Sequence, residues 1–472
     1  MECKNYISGN WVNSTNDQTV SMFNPADTNQ KICEVQFADA EVVFYAIKSA
    51  KSAFVKWKSI PTKNRVEYLK EFLDLITQNR QKLAEAITLE NGKTLNESHA
   101  EISSGISEAN YQLDYFTDIS IETKNLFETR HEPLGPVLLI TPWNFPFATV
   151  MRKMIPALAA GNSVILKPSE LTPMTSVFIS DILSKVSLPD GTVNTILGDG
   201  RVGSLLTGSS DIKAISLTGS TITGKHIKKQ IAEESTRFQA EMGGKNCVAV
   251  LPNADVEKAA KDIISNAYAC CGQWCTGTSR VVVHKDVSRQ LIDIAVDLTK
   301  SIKLGNGLVD QTNMGPLISR PQLDKVISFV AQAEKANLLT GGKQPDELKL
   351  RNGYFFEPTI FSGVNPNSKL TQEEIFGPVL SIIVEDSIED MISTVNNSKY
   401  GLSFSVYTQD KIIGEKFINE IEAGLCHINL PTAYRDPSLP LLGWKDSGFG
   451  LPESGRFALD FFTRTKAVYR NK

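Results

Sequence analysis

Strand and helix signals alternate between residues 137 and 251 with a regularity that few folds accommodate. Short apolar runs at 137–143, 163–168, 193–197, 214–218 and 248–251 are separated, in most gaps, by helical patterns. Strands spaced by helices of about 10–15 residues imply βαβ units and a parallel sheet. Such sheets bind ligands beyond the carboxyl ends of their strands, so the residues standing there carry the information about function.

The flanks bound the rest. Residues 1–40 read as short strands and turns, with a turn at Asn24-Pro25-Ala26-Asp27. From 39 to 110 the period is helical, with Val66, Leu69, Phe72, Leu73, Ile76 and Leu83 recurring at three and four and Asn91-Gly92 as a stop. Residues 113–132 lack helix punctuation and read as an excursion able to pair outside its own domain. A second α/β run follows residue 252, and 461–469 alternates as a terminal strand that needs a partner edge.

At 472 residues the chain has room for two or three domains. A net charge of -4 and no basic stripe argue against nucleic acid as a partner. No apolar run approaches the length of a membrane span. Seven cysteines, odd in number and without framework spacing, point to free thiols in a cytoplasmic setting. Five isolated histidines give no zinc signature, so no metal is expected.

The strand ends are polar and specific. Thr141-Pro-Trp-Asn-Phe-Pro146 holds Asn144 between two prolines, placed either as an oxyanion donor or as a turn residue. Lys167-Pro-Ser-Glu170 either grips ribose hydroxyls or opens a helix. Gly219 to Lys225 matches the front of a phosphate-cradling loop, but His226 stands where a Mg²⁺-ligating hydroxyl is required. That excludes a nucleotide triphosphatase and leaves an anion site at a helix N-terminus. Glu241 sits between Ala240 and Met242, a setting that raises a carboxyl toward the range of a general base, against the commoner solvated glutamate. Cys270, Cys271 and Cys275 fall within six residues. The first two read as small buried hydrophobes. Cys275, bracketed by Gly272 and Gly277, reads either as a third buried hydrophobe or as a nucleophile, and in the second case the thiol needs an activating partner.

Seven of these motifs in register resemble the aldehyde dehydrogenase superfamily from about Tyr6 to Tyr469. They are Pro142-Trp-Asn-Phe-Pro146, Lys167-Pro-Ser-Glu170, Thr218-Gly-Ser220, Glu241-Met-Gly-Gly-Lys-Asn246, Gly272-Gln-Trp-Cys275, Glu373-Glu-Ile-Phe-Gly-Pro378 and Lys445-Asp-Ser-Gly-Phe-Gly450. The resemblance implies an α/β fold with a Rossmann-like cofactor domain (1–112 and 133–242), an α/β catalytic domain (243–445) and a small β oligomerisation element (113–132 and 446–472). It implies a homo-oligomer, dimer or tetramer, and NAD or NADP as cofactor.

Carried over residue by residue, the resemblance makes Cys275 the nucleophile, Asn144 an oxyanion donor, Glu241 the base that activates water, and Lys153 part of a proton path. It places Thr141, Pro142, Trp143, Lys167, Ser169, Glu170, Gly200, Gly203, Gly219, Ser220, Met242, Gly243, Glu374 and Phe376 at the cofactor. Phe145, Arg152, Trp274 and Leu441 would face the substrate.

Departures bear on specificity. Trp274 is bulky for its position, and Leu441-Leu442 replaces the usual Phe-Gly. Arg152 resembles the succinate semialdehyde enzymes and suits a carboxylated or polyhydroxy aldehyde, or else bridges subunits. The tail is similar to the 2-oxoglutarate semialdehyde (2,5-dioxopentanoate) branch. The expected activity is oxidation of a small polar or anionic aldehyde, a semialdehyde, to its acid, with glyceraldehyde or lactaldehyde as alternatives. The rival classes are acyl transfer to coenzyme A or phosphate, which a carboxylate at Glu241 disfavours, and a non-catalytic structural or binding protein.

Overall fold

The computed structural model describes residues 2–15, 19–118, 122–124, 127–333 and 336–471. The alternation seen in the sequence builds an eight-stranded sheet. Its five central strands are parallel, in the order Arg237–Glu241, Ala214–Thr218, Pro136–Ile140, Ser163–Lys167, Val193–Thr195. Asn5–Ile7 and Asn10–Val12 close one side antiparallel, and Gly448–Phe449 closes the other. The first of the five strands in sequence, Pro136–Ile140, sits in the middle, with later strands on either side. Chain direction around the sheet therefore reverses between it and Ala214–Thr218, and a crevice opens at that point.

A second sheet has seven strands, parallel except at one margin, with Cys247–Val250 between Arg280–His284 and Ser403–Tyr407. The short connection 242–246 carries the chain from the last parallel strand of the first sheet into the second. A third sheet pairs Glu122–Lys124, Phe127–Pro133 and Thr463–Tyr469, with the terminal strand on its margin.

The helices follow their apolar period. Val66, Leu69, Phe72, Leu73 and Ile76 all face the core from helix Thr62–Gln78. Asp39 accepts from the Val42 N–H at the start of Ala40–Trp57, and Gly92, with φ of 91°, ends Arg80–Asn91.

The structure differs from the sequence reading in three places. The strand expected over 137–143 ends at Ile140, because Pro142 has no N–H to extend the ladder. Helix Leu95–Asp118 runs through residue 113, so the excursion expected there opens later. Arg237–Glu241, which lacks an apolar run, is nevertheless a parallel strand, and it delivers Glu241 to the crevice. Among the described residues no helix is long and apolar enough to cross a membrane.

Candidate active site

Three segments converge at the mouth of the crevice. The first is the loop after Pro136–Ile140, which is pinned by backbone contacts on both sides of Asn144. Asn91 Nδ2 donates to the Trp143 carbonyl at 2.9 Å, and Lys93 Nζ donates to the Asn144 carbonyl at 2.6 Å. Lys93 also donates to Glu101 at 2.6 Å, and both of these side chains are fully buried. The other Glu101 oxygen accepts from the Phe147 and Ala148 N–H groups, where a carboxylate suits the positive end of helix Ala148–Ala159. Asn144 Nδ2 donates to the Gln273 carbonyl at 2.9 Å, which ties this loop to the second segment.

That second segment carries the cysteines. Cys270, Cys271 and Gly272 all have positive φ, at 51°, 58° and 68°. Three consecutive left-handed residues are costly for non-glycine types, and the strain is held by neighbours. Cys270 N–H donates to Glu97 at 2.6 Å. A Cβ on Gly272 would lie 2.2 Å from the Gly377 carbonyl oxygen, so only glycine fits. Cys270 and Cys271 are buried, with their thiols pushed up by burial. Cys275 is partly open to a cavity of about 290 Å³, shared with Asn144, Arg152, Glu241, Trp274 and Arg435. Phe145 also lines it, packed on Trp274 with ring centroids 4.9 Å apart, as does Leu441.

Glu241, third, is 3 % exposed at the end of its strand, and its Oε1 has no hydrogen-bond partner among the described residues. Burial, helped by nearby Glu453, raises its pKa to about 8. Burial, then facing Glu241, also holds the Cys275 thiol well above its ordinary range, while Arg152 pulls the other way. Thiol and carboxyl therefore share a cavity in which neither ionises easily.

Behind them lies a charge cluster that the sequence only partly disclosed. Lys153 Nζ donates to Ser216 Oγ at 2.8 Å and to Glu453. Burial lowers the Lys153 pKa, opposed by Glu453. Arg152 Nε donates to both Glu108 oxygens, at 3.1 and 3.0 Å. Burial works against its charge, but Glu108 and Glu453 outweigh it and hold the Arg152 pKa above its ordinary value. Glu108, Arg435 and Glu453 went unnoticed in the sequence. Glu453 is anchored by reciprocal backbone hydrogen bonds with Leu441, at 2.7 and 2.8 Å.

Most of the residues expected at a dinucleotide follow the carboxyl ends of the first sheet's parallel strands. Lys167 is buried, with its pKa lowered by burial; its amine reaches the Pro168 carbonyl at 2.9 Å and Glu170 at 4.0 Å. Ser169 Oγ bonds Glu170 at 3.4 Å. Gly203 approaches the Lys167 stem, and Gly200 faces open space. Ser220, following Gly219, caps helix Thr221–Gln230 by accepting from Thr223 N–H. Lys225, the lysine of the phosphate-loop match, is instead paired with Asp446 at 2.7 Å. Met242 packs against Gly224. At the other end, Glu374 accepts from Gly244 N–H at 2.9 Å and lies so close to Gly243 that a Cβ there would be 2.6 Å from its Oε2. Trp143 and Phe376 meet edge to face at 5.3 Å, and Thr141 Oγ1 is buried with no hydrogen-bond partner among the described residues. A buried amine, a helix N-terminus, open glycines and a second carboxylate, set at or beside the carboxyl ends of the parallel strands, fit a dinucleotide.

The chain belongs to the aldehyde dehydrogenase family, whose match covers residues 11–468. It is therefore an NAD(P)-dependent oxidoreductase acting on aldehydes. It is 38% identical over 476 residues to the alpha-ketoglutaric semialdehyde dehydrogenase of Bacillus subtilis (strain 168), covering 98% of this chain and 97% of that protein. It is 34% identical to the alpha-ketoglutarate semialdehyde dehydrogenase of Haloferax volcanii, covering 99% and 98%. Among solved structures, the Staphylococcus aureus betaine aldehyde dehydrogenase in complex with NAD+ superposes with a TM-score of 0.95 at 34% identity, covering 99% of this chain and 95% of that one. A 3,6-anhydro-L-galactose dehydrogenase with bound NADP gives 0.96 at 31%, covering both chains fully.

Proposed function

We propose that this enzyme oxidises a small semialdehyde carrying a carboxylate at its far end, releasing the free diacid. One observation carries the reading: the thiol, a buried carboxyl of raised pKa and two guanidinium groups face a single cavity. In this scheme the Cys275 thiol passes its proton to the Glu241 carboxylate as Sγ bonds to the aldehyde carbon, and the oxygen becomes an oxyanion held by Asn144 Nδ2 and the Cys275 N–H. Lys167, Glu170, Gly219, Ser220 and Glu374 would hold the dinucleotide, which when bound supplies the acceptor for the hydride leaving that carbon. The resulting Cys275 thioester is then hydrolysed: Glu241 takes a proton from water, the hydroxide adds to the acyl carbon, and the C–S bond breaks to regenerate the thiolate. Lys153 and Glu453 stand behind Glu241 as the route by which both protons leave, the first before water is deprotonated. A carboxyl at residue 241 supports hydrolysis over transfer to coenzyme A.

The relatives named above, both semialdehyde dehydrogenases, support the same substrate class. The division into a cofactor unit (1–112 and 133–242), a catalytic unit (243–445) and an oligomerisation element (113–132 and 446–472) belongs to this reading, with Gly448–Phe449 lent to the cofactor sheet. So does assembly in the cytoplasm into a homo-oligomer. Among the described residues, Thr463–Tyr469 stands on the margin of one sheet and Leu425–Ile428 on the margin of another, positions from which strands can pair between subunits.

An aldehyde panel run with NAD+ and NADP+ side by side tests the substrate. Carboxylated semialdehydes should exceed propanal in kcat/KM by about tenfold or more, the worth of one ion pair in a closed site. Equal values would end the anionic-substrate reading.

A further inference from the structure

We propose that Lys245 is a positioning residue for the cofactor: its buried amine sustains the negative charge with which Glu374 receives the dinucleotide. The proposal rests on the reading that Glu374 holds the cofactor, and it adds the group that governs that carboxylate. Lys245 is 3 % exposed, and its Nζ is buried with no hydrogen-bond partner among the described residues. A lysine stem ordinarily carries its amine out to water, and a buried amine without a partner is costly. Groups left in that state in a folded protein call for a reason, and here the surroundings supply one.

The segment 242–246, which joins the two large sheets, sets the lysine in place. Gly244 N–H donates to Glu374 at 2.9 Å, Arg280 Nε donates to the Lys245 carbonyl at 3.1 Å, and Asn246 Nδ2 donates to the Cys275 carbonyl at 2.6 Å. The backbone is thus pinned on both sides of Lys245. A Cβ on Gly244 would stand 2.8 Å from the Cys275 carbonyl oxygen, so the segment already lies hard against the turn that bears the sulfur. Lys245 shares a cavity of about 20 Å³ with Glu374, Phe376 and Trp274. Amine-bearing residue and carboxylate therefore line one small space.

The charges around that space give the pair its work. Burial raises the Glu374 pKa, opposed by the Gly244 N–H, Lys325 and Lys245. Burial, then Arg280, lowers the Lys245 pKa to about 7, while Glu374 pulls it back. Arg280 is engaged with the carbonyls of Lys245, Thr394 and Val395, and Lys325, on helix Arg320–Ala331, is itself lowered by burial. Glu373 also acts on Lys245 but is paired with Lys399 at 2.8 Å, and Tyr400 and Cys275 feel the Glu374 charge in turn. Lys245 is charged below about pH 7, the range in which a buried carboxyl of raised pKa would otherwise take up a proton. An ionised carboxylate accepts from ribose hydroxyls about twice as strongly as a neutral one.

Fluorescence titration of the full-length protein with NADH, and with NADPH in parallel, between pH 6 and pH 9 tests this. Lys245→Met removes the charge and keeps the shape. Its dissociation constant should exceed the wild-type value about tenfold at pH 6, the effect of moving Glu374 by about one pKa unit, and should converge on it at pH 9. The same variant should melt no lower than wild type, because a buried amine without a partner is gone. Lys245→Gln, equally neutral, should show the same pH dependence and replaces the methionine variant if that one does not fold. Binding unchanged at pH 6, or weakened equally at pH 6 and pH 9, overturns the proposal, since a purely structural lysine has no reason to matter at one pH alone. Glu374→Gln should weaken NADH at both pH values. If it binds NADH like wild type, the cofactor role of Glu374 falls instead, a separately visible failure.

Discussion

Two buried ionic clusters border the reactive cavity, and they are built to opposite specifications. In the first, Lys93 satisfies Glu101 and the Asn144 carbonyl and lies 4.1 Å over the Phe145 ring, while Glu101 uses its second oxygen on two backbone N–H groups. In the second, Arg152, Arg435, Lys153, Glu108 and Glu453 are packed together, yet Arg435 Nη1, Glu453 Oε2 and neighbouring Glu241 Oε1 find no hydrogen-bond partner among the described residues. A closed network fixes a shape. An incomplete one, kept in a low-dielectric wall, keeps its appetite for a substrate, a proton or a water.

The largest effect separates the chemistry from both clusters. Cys275→Ala should abolish NAD(P)-linked oxidation while leaving the melting temperature close to wild type; substantial residual turnover would show that the sulfur is not the nucleophile. Next comes the closed cluster. Lys93→Met leaves Glu101 buried and unpaired and should cost about 3–5 kcal/mol in denaturant unfolding. Lys93→Met with Glu101→Gln should recover part of that. If the single change is neutral, Lys93 is not holding the Asn144 loop and the contrast between the clusters dissolves.

The smallest effect concerns the open cluster. Glu241 is an acid whose pKa is raised to about 8, so its carboxylate form, the base, is depleted below that pH and gained above it. Acid release should therefore climb roughly tenfold between pH 7 and pH 9. Glu241→Gln should remove that rise and let an acyl-enzyme accumulate, seen as added mass on the intact protein. A flat wild-type profile would take Glu241 out of the rate-limiting step.

What the sequence disclosed follows the same division. Asn144, Glu241 and Cys275 stand in short motifs at strand ends or beside glycines, where local chemistry is unusual enough to notice, and the structure brings all three to one cavity. Lys93 sits in Glu90-Asn-Gly-Lys, which reads as a helix stop, and nothing local announces that its amine crosses to residue 144. Glu101 and Glu108 look like ordinary charged residues of helix Leu95–Asp118. Arg435 and Glu453 meet Glu108 and Lys153 across more than 290 positions of chain, which only the packing of the tail beside the first sheet accomplishes. Sequence pattern reveals residues that must be special where they stand. It hides residues that become special by what they meet.

The contact between Gly272 and the Gly377 carbonyl has a mechanical meaning. With no side chain between them, the turn that bears the sulfur and the turn that bears Glu374 and Phe376 rest backbone on backbone, like two gears without a washer. With no room for a side chain at Gly272, neither turn can be moved without pressing on the other.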